Sequence, residues 1–348
     1  MTSQSRGPGL RLTNRASENH RLDSHDDPRN LPPDETGCNP PIIYRNPRAP
    51  MPELPEVEVL VRHLAPVLAN RIIRDVEVRR SKILRPTSER QIRDRLRGAR
   101  IAGVSRRGKY LLFTLEGART KAPFQLVGHL GMTGRMYLQP SAAPLPKHTA
   151  VAFDLGDARF VFEDTRYFGR LTLDTTAIAA LGPEPFDEAF SVDYFATALR
   201  RSAQSIKVKL LDQSLVAGVG NIYASEALFC AGISPRLAAR RLAREQVERL
   251  RETIRSVLDE AIGLGSTVPL NWGAETGERN GLFYYGLTSG TSRYYEERLR
   301  VYDRAGEPCV RCGVSIQRLV QAARSTYYCP GCQTGRRVTA KIKPAKIS

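Results

Sequence analysis

No stretch of this chain approaches the ~18 consecutive apolar residues of a membrane-spanning helix, and the N-terminus lacks the basic-then-apolar layout of a secretory signal. Those absences predict a globular protein of the cytoplasm. Acidic residues are scarce relative to basic ones: 36 Asp and Glu face 53 Lys and Arg, giving a net charge of +17 and a pI near 9.9. An excess of this size favours a polyanionic partner over a merely basic surface, because each phosphate neutralised by Lys or Arg releases condensed counterions. Nucleic acid is the expected partner. What is present suffices for real cores: 348 residues, 41% of them hydrophobic, suggest about two domains at ~150 residues each.

Residues 1–50 lack the charge and the pattern of the rest. They hold seven Arg against six Asp or Glu, so +16 of the +17 belongs to residues 51–348, and eight of the 23 prolines fall in this first segment. No apolar period survives for two turns, so the segment is expected to be disordered, and its acidic residues argue against an organelle transit peptide. Order begins at "MPELPEVEVL", residues 51–60. Val57, Leu60, Val61, Leu64 and Leu68 recur at helical spacing, with Pro55 near the first turn and Pro66 kinking or ending the run. Strand patterns come next: "IIRDVEVR" from 72, "KYLLFTLE" from 109, "AVAFDL" from 150 and "ARFVFEDT" from 158, the last two joined by a tight turn at Gly156-Asp157. A mostly antiparallel β-sandwich with the opening helix packed on it is the expected first domain.

Beyond "LGPEPF" the period changes from 2 to 3.6. "SIKVKLLDQSLV" and "NIYASEALFCAGI" read as helices on either side of Ala217-Gly218-Val219-Gly220, and Val247, Leu250, Ile254, Val257 and Ala261 mark a longer helix stopped by Gly263 and Gly265. Glycines ahead of a helix that Asn221 could cap would leave backbone N–H groups free to face a phosphate; an ordinary glycine-rich helix hairpin is the other reading.

Two residues separate Cys309 from Cys312, two separate Cys329 from Cys332, and sixteen separate the pairs. This spacing matches a tetrahedral zinc site, and four thiolates leave no open position for chemistry. The zinc is therefore expected to be structural, holding a β-hairpin too small to have its own core and displaying Arg318 and Arg324. Cys38 and Cys230 read as unpaired bystanders, and disulfides do not fit a chain with no sign of secretion.

The motifs "PELPEVE" (52–58), "RRGKYLL" (106–112), "HLGMTG" (129–134), "LGPEP" (181–185), "AGVGNIYASEALF" (217–229) and the closing four-cysteine ribbon stand in one order. In that order the chain resembles the bacterial formamidopyrimidine-DNA glycosylases over about residues 51–335. The resemblance implies a multidomain α+β fold: a catalytic β-sandwich domain at 51–185, a helical helix-two-turns-helix DNA-binding domain at 190–298 with a lesion-covering loop at 266–297, a zinc-ribbon finger at 299–336, and a basic tail at 337–348. It further implies a monomeric, nucleoid-associated DNA-repair enzyme with one structural Zn²⁺. The substrate would be damaged double-stranded DNA. Such an enzyme excises oxidised purines such as 8-oxoguanine and formamidopyrimidines, then cuts the strand by β,δ-elimination.

By the same resemblance Pro52 is the nucleophile, through an α-amine exposed at the chain terminus. A free α-amine has a pKa of ~7.7–8.0 against ~10.4 for lysine, so part of it is unprotonated at neutral pH. Glu53 would be the general acid for sugar-ring opening, Glu56 would orient this group, and Lys109 would contact DNA near the lesion. Lys207, Asn221, Arg324 and His148 would grip phosphates. Met132 and Phe168 would wedge the stack while Arg166 pairs with the orphaned cytosine. Taken alone, Lys109 reads as a solvated strand lysine, His148 as a loop histidine, and Met132 and Phe168 as core. In "DTRYFG" Tyr167 stands where many relatives carry a second basic residue, and 266–297 is longer and more aromatic than the family's loop. Two other functions stay open on the sequence: an endonuclease VIII type acting on oxidised pyrimidines, which usually opens "PEGPE" where this chain has Leu54, and a non-catalytic damaged-DNA binder, if Pro52 stays internal. For an active enzyme the chain is expected to begin at Pro52, by translation from Met51 or by removal of residues 1–50.

Overall fold

The computed structural model describes residues 51–118, 122–263 and 299–334. The expected disordered extension 1–50, the loop 266–297, the tail 337–348 and Cys38 lie outside them.

The chain opens with α1 (Leu54–Leu68), whose Pro55 occupies the first turn, where a missing N–H breaks no helix bond. Pro66 lies in the last turn, and the helix ends two residues later. Next come β1 (Asp75–Val78), α2 (Glu89–Leu96), β2 (Arg100–Arg107), β3 (Tyr110–Glu116), β4 (Pro123–His129), β5 (Gly134–Pro140), β6 (Thr149–Asp154), β7 (Ala158–Asp164) and β8 (Arg170–Thr172). They form two antiparallel four-stranded sheets, ordered β1-β6-β7-β5 and β2-β3-β4-β8. The run from Ile72 is a strand only over β1. At Gly156-Asp157 the expected turn is present: Leu155 N donates to Ala158 O at 2.9 Å, and Gly156 has φ +100°. Alternation places Phe113, Phe153, Phe160 and Phe162 in one core, onto which α1 presents Val57, Leu60, Leu64 and Leu68.

The helical part comprises α3 (Thr176–Ala179), α4 (Val192–Arg200), α5 (Ile206–Leu210), α6 (Asn221–Cys230) and α7 (Arg244–Gly263). The long run from Ser205 is helical only over α5, because the Asp212 carboxylate accepts from Ser214 N (2.9 Å) and Ser214 Oγ (2.6 Å) and turns the chain. Val247, Leu250, Ile254, Val257 and Ala261 of α7 are all buried, as their spacing predicts. They share a second core with α6 and, from the first domain, Leu54. The opening helix therefore contributes to both cores, and its N-terminus sits at the seam between them.

The finger is a hairpin of β9 (Gln317–Gln321) and β10 (Arg324–Tyr328). The expectation that it lacks a core needs correction: Val301, Ile316 and Tyr327 pack with Phe229 of α6 around Cys309 and Cys329. Arg311 adds a guanidinium 4.5 Å above the Phe229 ring. Among the described residues no helix is long and apolar enough to cross a membrane.

Candidate functional site

An open cleft of about 970 Å³ lies where sandwich, helices and finger meet, lined by Glu53, Lys109, Met132, Asn221 and Arg324 among others. Each wall is fixed by a motif picked out in the sequence. At the β2–β3 turn Gly108 adopts φ +57°. Glu184 of "LGPEP" accepts from Gly108 N (2.6 Å), Arg106 Nη1 (2.5 Å) and Arg107 Nη1 (3.1 Å). Arg106 Nε also donates to Glu58 of α1 at 2.6 Å. These bonds aim the next residue, Lys109, at the cleft and tie it to the helix that begins with the candidate acid.

That acid, Glu53, is only 2% exposed. Its carboxylate accepts from Ile222 N (2.9 Å) and Tyr223 N (3.4 Å), the first free amides of α6. The glycines explain how it gets there. A Cβ on Gly220 would lie 2.3 Å from Glu53 Cδ, and one on Gly218 (φ +90°) would lie 2.5 Å from the Leu54 side chain. The expected phosphate site at this helix start is thus corrected: two amides thought free serve a protein carboxylate, and Gly220 rather than Asn221 is the N-cap, so that the distant Glu53 side chain, not the N-cap residue, closes the helix start. Burial lifts the Glu53 carboxyl above the ordinary carboxylate range; Lys109 opposes the rise and Glu56 adds to it. Glu56 is fully buried, accepting from Glu53 N (2.8 Å) and from the Tyr223 hydroxyl (2.8 Å). It thus lies beside Glu53, bonded to that residue's backbone amide and to the Tyr223 hydroxyl. Pro52 is buried between Met51 and Glu53, both of which line the cleft.

Desolvation lowers Lys109 below an ordinary lysine, against the pull of Glu53 and with the help of Arg324. The residue is a cleft wall, not the solvated strand lysine that its sequence context alone suggests. Lys207 is fully buried, and its ammonium donates to Asn221 Oδ1 at 2.6 Å. Burial draws its pKa down to about 8. Asn221 Nδ2 in turn donates to Ser325 O of the finger at 2.9 Å, so that of the three expected phosphate residues Asn221 and Arg324 line one wall of the cleft while Lys207 is buried behind Asn221. Arg324 follows a two-residue turn in which Ala322 and Ala323 both have positive φ, 47° and 58°, the twist a tight hairpin requires.

Arg166, Phe168 and His148 stand apart from the cleft lining. Arg166 Cζ lies 5.0 Å over the Phe168 ring, and Phe168 is 54% exposed, so core packing does not account for it. Between them Tyr167 takes φ +54° and packs on the sandwich core, its ring 5.0 Å from Arg80 and 6.4 Å from His148. Met132 does reach the cleft.

Sequence reasoning missed Tyr110, His129, Gln213, Tyr302 and Asp303, which also line it. His129 accepts from Gly131 N at Nδ1 (3.0 Å), which leaves the proton on Nε2. Burial, Lys109 and Arg170 hold its pKa down to about 4, so the ring is neutral at neutral pH. Burial pushes Tyr302 up to about 12. The buried Glu226 carboxylate places this tyrosine by accepting from the amides of Arg300, Val301 and Tyr302, each at 2.9 Å. Only "HLGMTG" and "NIYASE" signalled His129 and Glu226, and they did so as motif members without an assigned role.

The four finger sulfurs lie within 4.8 Å of one another, the closest pairs at 3.4, 3.5 and 3.8 Å. Sulfurs ~2.3 Å from a shared zinc in tetrahedral array lie ~3.8 Å apart, whereas a disulfide needs ~2.05 Å. Arg311 N donates to Cys309 Sγ (3.4 Å) and Cys332 N to Cys329 Sγ (3.3 Å), the bonds that support thiolate ligands. The set fits one structural Zn²⁺.

Comparison with known proteins gives the same three parts. Residues 51–171 match the formamidopyrimidine-DNA glycosylase N-terminal domain, 181–269 the H2TH domain of that glycosylase, and 306–335 the zinc finger found in FPG and IleRS. The formamidopyrimidine-DNA glycosylase of Desulfitobacterium hafniense is 40% identical over 290 residues, 81% of this chain and 100% of that one. That of Thermus thermophilus is 41% identical over 290 residues, covering 81% and 98%. The structure of Lactococcus lactis Fpg (MutM) in complex with DNA containing N7-benzyl-Fapy-dG is 34% identical, with a TM-score of 0.70 over 81% of this chain and 99% of that one. With motifs, cleft, cysteine cluster and relatives in agreement over the same span, the chain belongs to the formamidopyrimidine-DNA glycosylase family.

Proposed function

We propose that this protein excises oxidised purines from duplex DNA and cleaves the resulting abasic site, with Pro52 as nucleophile and Glu53 as its acid. The observation that carries this reading is the Glu53 carboxyl, raised above its ordinary pKa by burial although two amides of α6 bond to it, and adjacent in the chain to Pro52. Burial eases protonation of a carboxyl so placed, which is what a proton donor for ring opening requires.

The free secondary amine of Pro52 attacks C1′ of the damaged nucleotide, and the C1′–N bond breaks as the base departs with a proton. Glu53 donates to O4′, the sugar ring opens, and the nitrogen lone pair completes an iminium at C1′. This electron sink acidifies the C2′ hydrogen. Its removal expels the 3′-phosphate, and a second elimination expels the 5′-phosphate. Lys109, with its lowered pKa, is the cleft group suited to exchange a proton near the sugar. Lys207, Asn221 and Arg324 grip phosphates flanking the nucleotide, with His148 a further phosphate ligand beside the wedge. Met132 and Phe168 fill the void in the stack, and Arg166 reads the orphaned cytosine. The excess of basic residues supplies the non-specific grip. Zinc supplies folding energy to the finger and takes no part in bond making.

The test is excision from otherwise identical duplexes carrying 8-oxoguanine, a ring-opened purine or thymine glycol. The purine lesions are expected to be released fastest, with the strand cut on both sides of the sugar. Preferential release of thymine glycol would overturn the substrate assignment.

A further inference from the structure

A wedge built from two loops poses a mechanical question. Met132 lies on the loop between β4 and β5, whereas Arg166 and Phe168 lie on the loop between β7 and β8. Yet all three must enter the helix at one base pair. One buried side chain touches both loops. Asp164, 0% exposed at the end of β7, accepts from the Thr133 hydroxyl (2.6 Å) and Arg166 N (3.1 Å) through Oδ1, and from Gly169 N (2.8 Å) through Oδ2. Its own amide donates to His148 O at 3.1 Å. The donors to its carboxyl are neutral groups, one from the first loop and two that bracket Tyr167 and Phe168 on the second.

Glycines bring the loops close enough for this. A Cβ on Gly131 (φ +66°) would lie 2.7 Å from Gly169 N and from Phe168 C, and one on Gly169 would lie 2.4 Å from Phe162 Cζ. The loops therefore touch backbone to backbone, and the cross-loop hydrogen bond at 2.6 Å closes the contact. The first loop is also joined to the cleft, since Gly131 N donates to His129.

Resting on the wedge reading, we propose that Asp164 is a positioning residue that joins the two loops into one rigid wedge, so that Met132, Arg166 and Phe168 enter the duplex together. A unit of this kind everts the base as a single event, and its members lose function non-additively.

The informative variant is Thr133→Val, which removes only the cross-loop bond and leaves Asp164 its two backbone donors. Asp164→Ala would strip three donors at once and endanger folding. Base eversion is read by the fluorescence of 2-aminopurine placed beside 8-oxoguanine, in a double-mutant cycle of Met132→Ala and Phe168→Ala. In the unaltered background, the double variant is expected to evert little more slowly than either single one. With Thr133→Val the two losses should multiply, and the preference for cytosine opposite the lesion should fall about tenfold, the loss of one positioned hydrogen-bonding contact. Thr133→Ser, which keeps the hydroxyl, should restore the coupling. The salt dependence of binding should stay as it was, because no phosphate contact is removed. Unchanged coupling and unchanged base preference in Thr133→Val would overturn the proposal while leaving the wedge intact. If Met132→Ala and Phe168→Ala each evert at the unaltered rate, the wedge reading itself fails and the proposal with it.

Discussion

Gly220→Ala should disable the proposed general acid, Glu53, without replacing it. The residue has φ −129°, an ordinary extended backbone, so alanine introduces no conformational strain there. Its effect is steric: the new methyl would sit 2.3 Å from Glu53 Cδ and 2.4 and 2.6 Å from the carboxylate oxygens. Carbon atoms in contact sit ~3.5–4.0 Å apart, so the carboxyl must retreat by more than ~1 Å, and the 2.9 Å bond from Ile222 N breaks. A displacement of ~1 Å is worth about 10²-fold in rate, and complete loss of a general acid about 10²–10⁴-fold. Single-turnover release of 8-oxoguanine should therefore slow by about 10²-fold or more. Affinity for DNA carrying a stable abasic-site analogue should change little, since the phosphate ligands are not displaced. Combined with Glu53→Gln, the glycine change should add almost nothing, because both act on one group. A folded Gly220→Ala protein with a near-unaltered rate, or a double variant whose losses multiply, would refute the reasoning.

The lowered pKa of Lys207, about 8 in the free protein, predicts a pH effect on binding. The ammonium is the form that meets a phosphate, and the phosphate raises its pKa, so binding takes up a proton above about pH 8. Affinity should be level below about pH 8 and decline above it, Lys207→Arg should flatten the decline, and a level profile to about pH 9.5 in the unaltered protein would contradict the assignment. Cys312→Ser should lower thermal stability and DNA affinity together, because the finger carrying Arg324 is held by all four thiolates; purified protein without stoichiometric zinc that binds DNA fully would contradict this. Arg166→Ala should relax the preference for cytosine over adenine opposite the lesion more than it weakens binding, since a side chain at a base edge specifies where a phosphate ligand positions. Retention of the full preference would mean that another residue reads the orphan base.

The elements with strong periodicity were legible. The apolar stripes of α1 and α7 and the short apolar runs of β6 and β7 each follow from local pattern that packing then reinforces. The four-cysteine cluster was legible because metal geometry constrains spacing directly. What escaped is what depends on long-range approach. Gly220 reads equally well as a phosphate-binding glycine, and only the fold brings Glu53, 169 residues away from Ile222, onto the helix start that it vacates. Likewise Glu184 gives no local sign that it secures Gly108 and two arginines, and Asp164 reads as a strand-end acid until both loops are seen around it. The shortening of the run after Ser205 to a five-residue helix is a local effect that could have been read, since Asp212 and Ser214 form a turn that competes with helical bonds.

The proposed chemistry requires Pro52 to react as a free amine. While Pro52 follows Met51 in the chain, its nitrogen is a tertiary amide with no N–H and a delocalised lone pair, and it cannot form an iminium with a sugar. The direct measurement is borohydride trapping on lesion DNA with two preparations whose N-termini are verified by intact mass: one beginning at Pro52, the other retaining residues 1–51 in uncleavable form. The preparation beginning at Pro52 is predicted to become covalently linked to DNA through that residue, and the longer one to remain free. Efficient trapping of the verified longer form, with the adduct mapped away from any terminus newly exposed during the assay, would contradict the proline mechanism.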